Sequence, residues 1–310
     1  MRQVAILGAG GFIGGYLARR FSECPEWDAR AFCSAQCDLL RPESIREALG
    51  GLARGAFLVV AASVNRLREN SFGALAKNVA MAENVARFLA EGAIAHVVFL
   101  SSADVYGLEP AGGTIREELI PDPADHYAIS KIASESLLRG ATRRAGAALT
   151  VFRLSGVYGP GDDGKSTINA LVRSARSTGT ITIDGDGSAR RDYLHVEDVF
   201  QAAKSALEQR ITGTVNLASG ESHTIAAIAA MVRDALSETV TVKLRPAALP
   251  QVRRIQDMRY DLALLRRLFP CLRSTQVGDG IALYCADEGT PRTPRSQEIE
   301  RPRSIPCCDN

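Results

Sequence analysis

The feature that most constrains this chain is a glycine cluster placed where an apolar strand-like run gives way to a helical pattern. Val4-Ala-Ile-Leu7 is followed at once by Gly8-Ala-Gly-Gly-Phe-Ile-Gly14 and then by the amphipathic stretch Phe12–Phe21. At such a turn Gly8 makes the tight bend, Gly11 lets backbone approach a pyrophosphate, and Gly14 lets the helix pack close to the sheet. The helix N-terminus adds unsatisfied N–H groups for the anion. A glycine loop that binds nothing is the plain structural alternative, and the strand-to-helix context argues against it.

The first half of the chain repeats this alternation. Strand-length apolar runs at Val4–Leu7, Ala29–Cys33, Phe57–Ala61, Val97–Leu100 and Leu149–Leu154 are separated by helical patterns at Phe12–Phe21, Ser44–Leu49, Ala74–Ala90 and Tyr127–Arg139. That rhythm predicts βαβ units and a doubly wound parallel sheet of the Rossmann type, an α/β fold. With 310 residues against a prior of about 150 per domain, room remains for a second lobe. We place a dinucleotide-binding domain over residues 1–156. A smaller, mainly substrate-binding lobe covers 157–290, with segments returning to the first domain. Helices are expected at Ile168–Arg176, Val196–Leu207, Ile225–Leu236 and Leu262–Leu268, and strands at Thr180–Ile183, Val215–Leu217 and Val240–Leu244. Residues 291–310 carry four prolines and many charges but few large apolar groups, so they read as a flexible tail.

Composition removes other classes. The 37 Lys+Arg against 35 Asp+Glu give a formal charge of +2, too little for a nucleic-acid footprint. No apolar run is long enough to span a membrane. The N-terminal apolar stretch runs into Gly8 without a small-residue cleavage site, so the expected location is cytoplasmic. Seven cysteines, odd in number and sparse, make neither a disulfide framework nor a zinc site, and no metal is expected.

Two further readings concern chemistry. The end of the second strand, where dinucleotide enzymes often carry an acid for the adenosine ribose, here offers Cys33 or Ser34. A neutral residue with a nearby arginine tolerates a 2′-phosphate, which inclines the reading to NADP(H) or dual use with NAD(H). Arg19, Arg20, Arg30 and Arg41 are the possible partners. Val97–Leu100 leads into Ser101-Ser102, and Tyr127 and Lys131 stand at i and i+4 on one helical face. Lowering a tyrosine pKa from near 10 to about 7 takes about 4 kcal/mol of differential stabilisation, which a lysine ammonium and an oxidised nicotinamide can supply. Ser102 then hydrogen-bonds a substrate oxygen while Tyr127 gives or takes its proton, the arrangement for hydride transfer at a carbinol or ketone. Taken alone, a tyrosine one turn before a lysine is more often a packed ring beside a solvated charge; its place after both the glycine loop and the serine strand end reverses that reading.

Together these residues resemble the extended short-chain dehydrogenase/reductase family, the NAD(P)-dependent nucleotide-sugar epimerases, dehydratases and reductases. The motifs are Gly8-x-x-Gly11-x-x-Gly14, Asp38-Leu39, Ala61-Ala62-Ser63, Ser101-Ser102-x-x-Val105-Tyr106-Gly107, Tyr127-x-x-x-Lys131, Arg153-x-x-x-Val157-Tyr158-Gly159-Pro160, Gly185-Asp-Gly-Ser188 and Arg191-Asp192-Tyr193-x-His195-Val196-x-Asp198. The resemblance implies catalysis by Ser102, Tyr127 and Lys131. It implies pyrophosphate binding at Gly11, Phe12 and Ile13, adenine near Asp38 and Leu39, and the nicotinamide ribose beside Ala61, Ala62 and Ser63. Arg191, and more loosely Arg254, match the arginines that hold a nucleotide-sugar diphosphate; His195 and Asp198 are read as structural. Two departures stand out: Gly156 replaces an Asn that contacts substrate, and Ala103-Asp104 replaces the acid pair of the dehydratases. The close spacing of Cys33 and Asp38, read as the second and third strands, is similar to that of 4-keto-6-deoxyhexose reductases. The implied function is a nucleotide-linked 4-ketosugar reductase, with a 4-epimerase retaining NAD as the alternative. A 4,6-dehydratase or a non-catalytic dinucleotide-binding protein ranks lower. Helices at Ala74–Ala90 and Tyr127–Arg139 match the pair that such enzymes join across a two-fold axis, implying a homodimer.

Overall fold

The computed structural model describes residues 1–107, 113–162, 166–236, 239–246 and 257–287. Six parallel strands form the central sheet: β1 (Arg2–Leu7), β2 (Trp27–Phe32), β3 (Ala56–Val60), β4 (Ile94–Ser102), β5 (Ala148–Leu154) and β9 (Gly213–Leu217), in the order β2-β1-β3-β4-β5-β9. Strand order reverses between β1 and β3, and ligands of such sheets bind in the crevice at the carboxyl ends there.

Both sheet faces are apolar because helices cover both. Val4, Ile6, Val59, Val98, Leu100 and Phe152 point into one layer with α1 (Phe12–Ser22) and α6 (Val196–Gln209). Their neighbours Ala5, Leu7, Leu58, Val60, Val97 and Val151 point into the other, with α2 (Pro42–Leu49), α3 (Phe72–Leu89) and α4 (His126–Ala145). Caps fix the helix ends. The Ser71 hydroxyl accepts from Ala74 N at the start of α3, the Asp125 carboxylate accepts from Ala128 N at the start of α4, and Gly146 ends α4 in the left-handed conformation at φ 69°.

The remaining elements build a smaller body. β6 (Gly156–Tyr158), β8 (Arg190–His195) and β10 (Ser222–Thr224) make a three-stranded sheet, and β7 (Thr180–Asp184) pairs with β11 (Thr241–Arg245). Helices α5 (Thr167–Thr178), α7 (Ile225–Leu236) and α9 (Val277–Asp287) enclose Ile168, Leu171, Ile181, Ile228 and Tyr284, while α8 (Ala263–Leu268) packs on β9.

The structure corrects several expected elements. No strand forms at Asp38-Leu39; Cys33–Cys37 is a turn closed by Gln36 N and Cys37 N on the Cys33 carbonyl, and the third strand is β3. Asp38 instead accepts Leu40 N while its own N–H donates to Ser44 Oγ. The second strand begins two residues earlier, at Trp27, and ends before Cys33. Strands β6, β8 and β10 and helix α9 were not anticipated as elements. Residues 291–310 and Arg254 lie outside the described residues. No helix among the described residues is long and apolar enough to cross a membrane, and no group of three or more His, Cys, Asp and Glu among them is placed to hold a metal ion.

Candidate active site

The glycine loop joins β1 to α1 as a cradle that side chains would fill. Gly8 has φ +91°, and a Cβ there would lie 2.6 Å from Ala62 N. A Cβ on Gly14 would lie 2.2 Å from the Gly8 carbonyl oxygen, so only glycine permits this approach of helix to loop. Gly11 is the N-cap of α1, no side chain caps the helix, and no acid stands in its first turn. Phe12 and Ile13 open that turn. Backbone donors at a positive helix end, unshielded and unopposed, fit a dinucleotide pyrophosphate.

A cleft at the same sheet edge is lined by Leu39, Ala62, Ser63, Asn78, Phe99 and Lys131. The structure thereby brings together Leu39, Ala62-Ser63 and Lys131, expected site residues from three separate segments of the chain. Asp38 borders Leu39, Ala61 opens the 61–63 segment with its N–H on the Leu7 carbonyl, and Ser34 is exposed in the turn after β2. Asn78 escaped the sequence reading because an asparagine inside a helical pattern carries no distinguishing signal. It is buried, accepts from Val64 N and donates to the Val64 carbonyl and to Ser130 Oγ, clasping the loop that carries Ser63.

The parallel register of β4 and β5 pairs Ser102 with Leu154 at the carboxyl end of the sheet. Ser102 Oγ donates to Asp104 Oδ2 at 2.9 Å and accepts from Asp104 N, and Asp104 Oδ1 pairs with Arg66 at 2.9 Å. Asp104 therefore orients the Ser102 hydroxyl. Tyr127 is half-buried near the N-terminus of α4 and hydrogen-bonds Ser63. Burial, reinforced by the Asp104 charge, pushes its phenol above the usual tyrosine range, the reverse of the lowering expected from its sequence setting, so the ring stands protonated. Lys131 is buried one turn on. Its ammonium donates to the Leu100 carbonyl at 2.8 Å and lies 5.1 Å from the Phe99 ring centroid and 5.5 Å from that of Tyr127. Burial lowers its pKa to about 8, against the pull of Glu135 and Asp104.

Glu135, one further turn along α4, was also missed. It accepts Ser101 Oγ at 2.6 Å and both Nε (3.1 Å) and Nη2 (2.8 Å) of Arg153, a fork buried directly beneath the lysine.

On the side of the smaller body, a cavity of about 380 Å³ is lined by Thr114, Arg190, Asp192, Ser222, Arg259 and Tyr260. Arg190 and Asp192 face it from β8, whereas Arg191 falls between them in the strand alternation; the Arg191 charge still reaches Tyr260. Asp192 is occupied by Ser155 Oγ, Ser219 N and Gly220 N. His195 caps α6 and Asp198 holds Thr275, both structural roles. A Cβ at Gly156 would meet the Tyr193 ring at 3.0 Å, so Tyr193 occupies the space that a side chain there would need.

With this geometry in hand, the comparisons are specific. The profile of the NAD dependent epimerase/dehydratase family matches residues 4–218. A dTDP-4-dehydro-6-deoxy-D-allose reductase from Streptomyces sp is 26% identical over 79% of this chain and 85% of its own. The GDP-6-deoxy-D-mannose reductase of Pseudomonas aeruginosa is 32% identical over 52% of this chain and 55% of its own. Among solved structures, RMD from Pseudomonas aeruginosa complexed with NADPH superposes with TM-score 0.79 at 24% identity, covering 93% of this chain and 97% of that one. UDP-glucose 4-epimerase from Thermotoga maritima gives 0.80 at 20% identity, covering 92% and 97%.

Proposed function

This chain belongs to the NAD dependent epimerase/dehydratase family, and we propose that within it the enzyme reduces the keto group of a nucleotide-linked 4-ketosugar. The observation that carries the reading is that Tyr127 and Lys131 stand one turn apart on α4, the ammonium 5.5 Å from the phenol ring, while Ser102 ends β4 at the carboxyl edge of the same sheet as the glycine cradle. Reduction of a ketone needs a proton donor at the carbonyl oxygen, and a neutral phenol beside an ammonium can serve as one. Curated relatives that are 4-dehydro-deoxysugar and deoxysugar reductases support it.

A nicotinamide dinucleotide, held along Gly8, Gly11, Phe12, Ile13 and Gly14 and beside Ala62 and Ser63, supplies the hydride when bound. This chain's own residues do the rest. Ser102 holds the substrate oxygen, which requires its hydroxyl to turn from Asp104. Tyr127 passes its phenolic proton to that oxygen as it gains negative charge. The Lys131 ammonium stabilises the phenolate left behind, and Arg190 and Arg259 offer positive charge to the diphosphate.

The test is NADPH oxidation at 340 nm with dTDP- and GDP-linked 4-keto-6-deoxyhexoses, together with analysis of dinucleotide released from denatured protein. Turnover is expected, with Tyr127→Phe slowing it more than a hundredfold while leaving dinucleotide affinity within threefold. Stoichiometric retained NAD with no consumption of added cofactor would overturn the reductase in favour of an epimerase.

We place the enzyme in the cytoplasm as a homodimer joined through α3 and α4. Phe72 and Ile129 stand exposed on these helices, beside half-buried Leu75, Val79 and Leu137. Light scattering at micromolar protein is expected to give twice the 33.2 kDa chain mass, and a monomeric mass refutes the dimer.

A further inference from the structure

Tyr127, Lys131 and Glu135 follow one another at four-residue intervals, so they form a ladder along one face of α4 with the lysine between a phenol and a carboxylate. On an open helix a lysine is drawn to a glutamate four residues on. Here it is not. The Lys131 ammonium donates to the Leu100 carbonyl at 2.8 Å, lies 5.5 Å from the Tyr127 ring centroid, and forms no ion pair with Glu135 among the described residues.

The reason lies in β5. The parallel register sets Arg153 beside Ser101, and both side chains reach α4 from the sheet. Together they fill the Glu135 carboxylate: Oε1 accepts Ser101 Oγ at 2.6 Å and Arg153 Nε at 3.1 Å, and Oε2 accepts Arg153 Nη2 at 2.8 Å. The other acid whose charge reaches Lys131 is engaged in the same manner. Asp104 Oδ1 is held by Arg66 at 2.9 Å, and its Oδ2 by Ser102 Oγ at 2.9 Å. Each carboxylate near the lysine is therefore tied to an arginine, which leaves the ammonium to the phenol side of the ladder.

Resting on the reductase reading above, we propose that Arg153 is a positioning residue: by occupying Glu135 it keeps that carboxylate from capturing the Lys131 ammonium, which stays beside Tyr127 to stabilise the phenolate. Arg153 acts through the lysine, deciding which neighbour it serves. Without the guanidinium, Glu135 would be a buried charge in need of a cation, and Lys131 is the one a single helical turn away. Pairing with it draws the ammonium toward the C-terminus of α4, away from the phenol.

The test compares the full-length parent with Arg153→Met and with the double variant Glu135→Leu/Arg153→Met. Lys131 is titrated, without substrate, by NMR of protein carrying isotope-labelled lysine, its signal assigned by its loss in Lys131→Met. Arg153→Met is expected to raise the lysine pKa by about one pH unit or more from the parent value of about 8, and the added Glu135→Leu to abolish that rise. With a 4-ketosugar nucleotide, Arg153→Met is expected to lower kcat about tenfold or more while KM stays within about threefold, and the double variant to recover most of the loss. A merely structural fork would lower the melting temperature of Arg153→Met and leave the lysine titration in place. Should Arg153→Met fail to fold, Arg153→Lys keeps a cation without the planar fork and carries the same test, with an expected rise of about half a pH unit. A Lys131 titration that the substitution leaves unmoved, or a kcat loss that Glu135→Leu does not recover, overturns this inference alone. A titration that moves as expected in a protein whose parent turns over no 4-ketosugar overturns the reductase reading instead.

Discussion

The buried Arg153–Glu135 fork beneath Lys131 permits a quantitative prediction. The two side chains are 7% and 3% exposed, and the carboxylate accepts two guanidinium N–H groups and the Ser101 hydroxyl. Glu135→Gln preserves shape but leaves the Arg153 charge in the core without its counter-ion, its remaining neighbour being the Tyr106 ring at 4.9 Å. Breaking one side of such a pair costs about 3–5 kcal/mol. Replacing both partners with apolar groups, as Glu135→Leu with Arg153→Met, removes the stranded charge. What remains is about 1–3 kcal/mol for the Ser101 hydroxyl, which loses its acceptor, together with the loss of the Glu135 charge that supports the Lys131 ammonium and lies 4.0 Å from Arg139, a cost that the single variant shares. The double variant should therefore be more stable than the single one, a coupling of opposite sign to simple addition. Guanidinium unfolding followed at Trp27, the chain's single tryptophan and a buried one, measures both. A loss below about 1 kcal/mol for Glu135→Gln, or a double variant as damaged as the sum of its parts, would refute the reasoning.

Three other outcomes are expected. Lys131 has a folded pKa of about 8 against an ordinary 10.5, so between these values the unfolded chain binds more protons and stability rises with pH. Lys131→Met should therefore stabilise the empty protein at pH 7 by up to about 3 kcal/mol, with the gain fading toward pH 10.5 and turnover lost; a stabilisation independent of pH contradicts the assignment. Gly14→Ala places a methyl against the Gly8 carbonyl and should abolish measurable dinucleotide binding by calorimetry. Asp104→Asn keeps a hydrogen-bond acceptor for Ser102 but removes the charge that raises Tyr127, so the titration of the phenol, followed by ultraviolet difference absorbance, should move to lower pH; an unmoved titration counts against that coupling.

Much of this was legible because burial on both sheet faces makes strands β1, β3, β4 and β5 continuous apolar runs, and because α1, α3 and α4 carry helical periodicity. Ser102, Tyr127, Lys131 and the glycine cradle stand out in the sequence because each residue type is chemically specific at its spacing. What escaped was structure whose logic is tertiary. β8, Arg-Arg-Asp-Tyr-Leu-His, looks like a charged loop until Asp192 is seen to accept hydrogen bonds from Ser155 Oγ, Ser219 N and Gly220 N. Two glycines disguise α9, yet Gly280 is where Tyr158 packs against the helix. The edge strand β2 is half exposed, so its apolar pattern fixed its start only to within two residues. Glu135 and Asn78 act through partners far apart in the chain, which no local pattern reveals.

The sheet order also has a consequence for how the molecule is made. β5 gains its outer neighbour only when Gly213–Leu217 arrives, after β6, α5, β7, β8 and α6 have all been laid down. A nascent chain that has emerged only to residue 156 presents β5 as a bare hydrogen-bonding edge, the kind of edge that recruits foreign strands. Truncation at the apparent border between the two bodies would thus yield a sticky fragment rather than a tidy cofactor-binding module, and the last strand of the large sheet acts as the closing stitch of the whole fold.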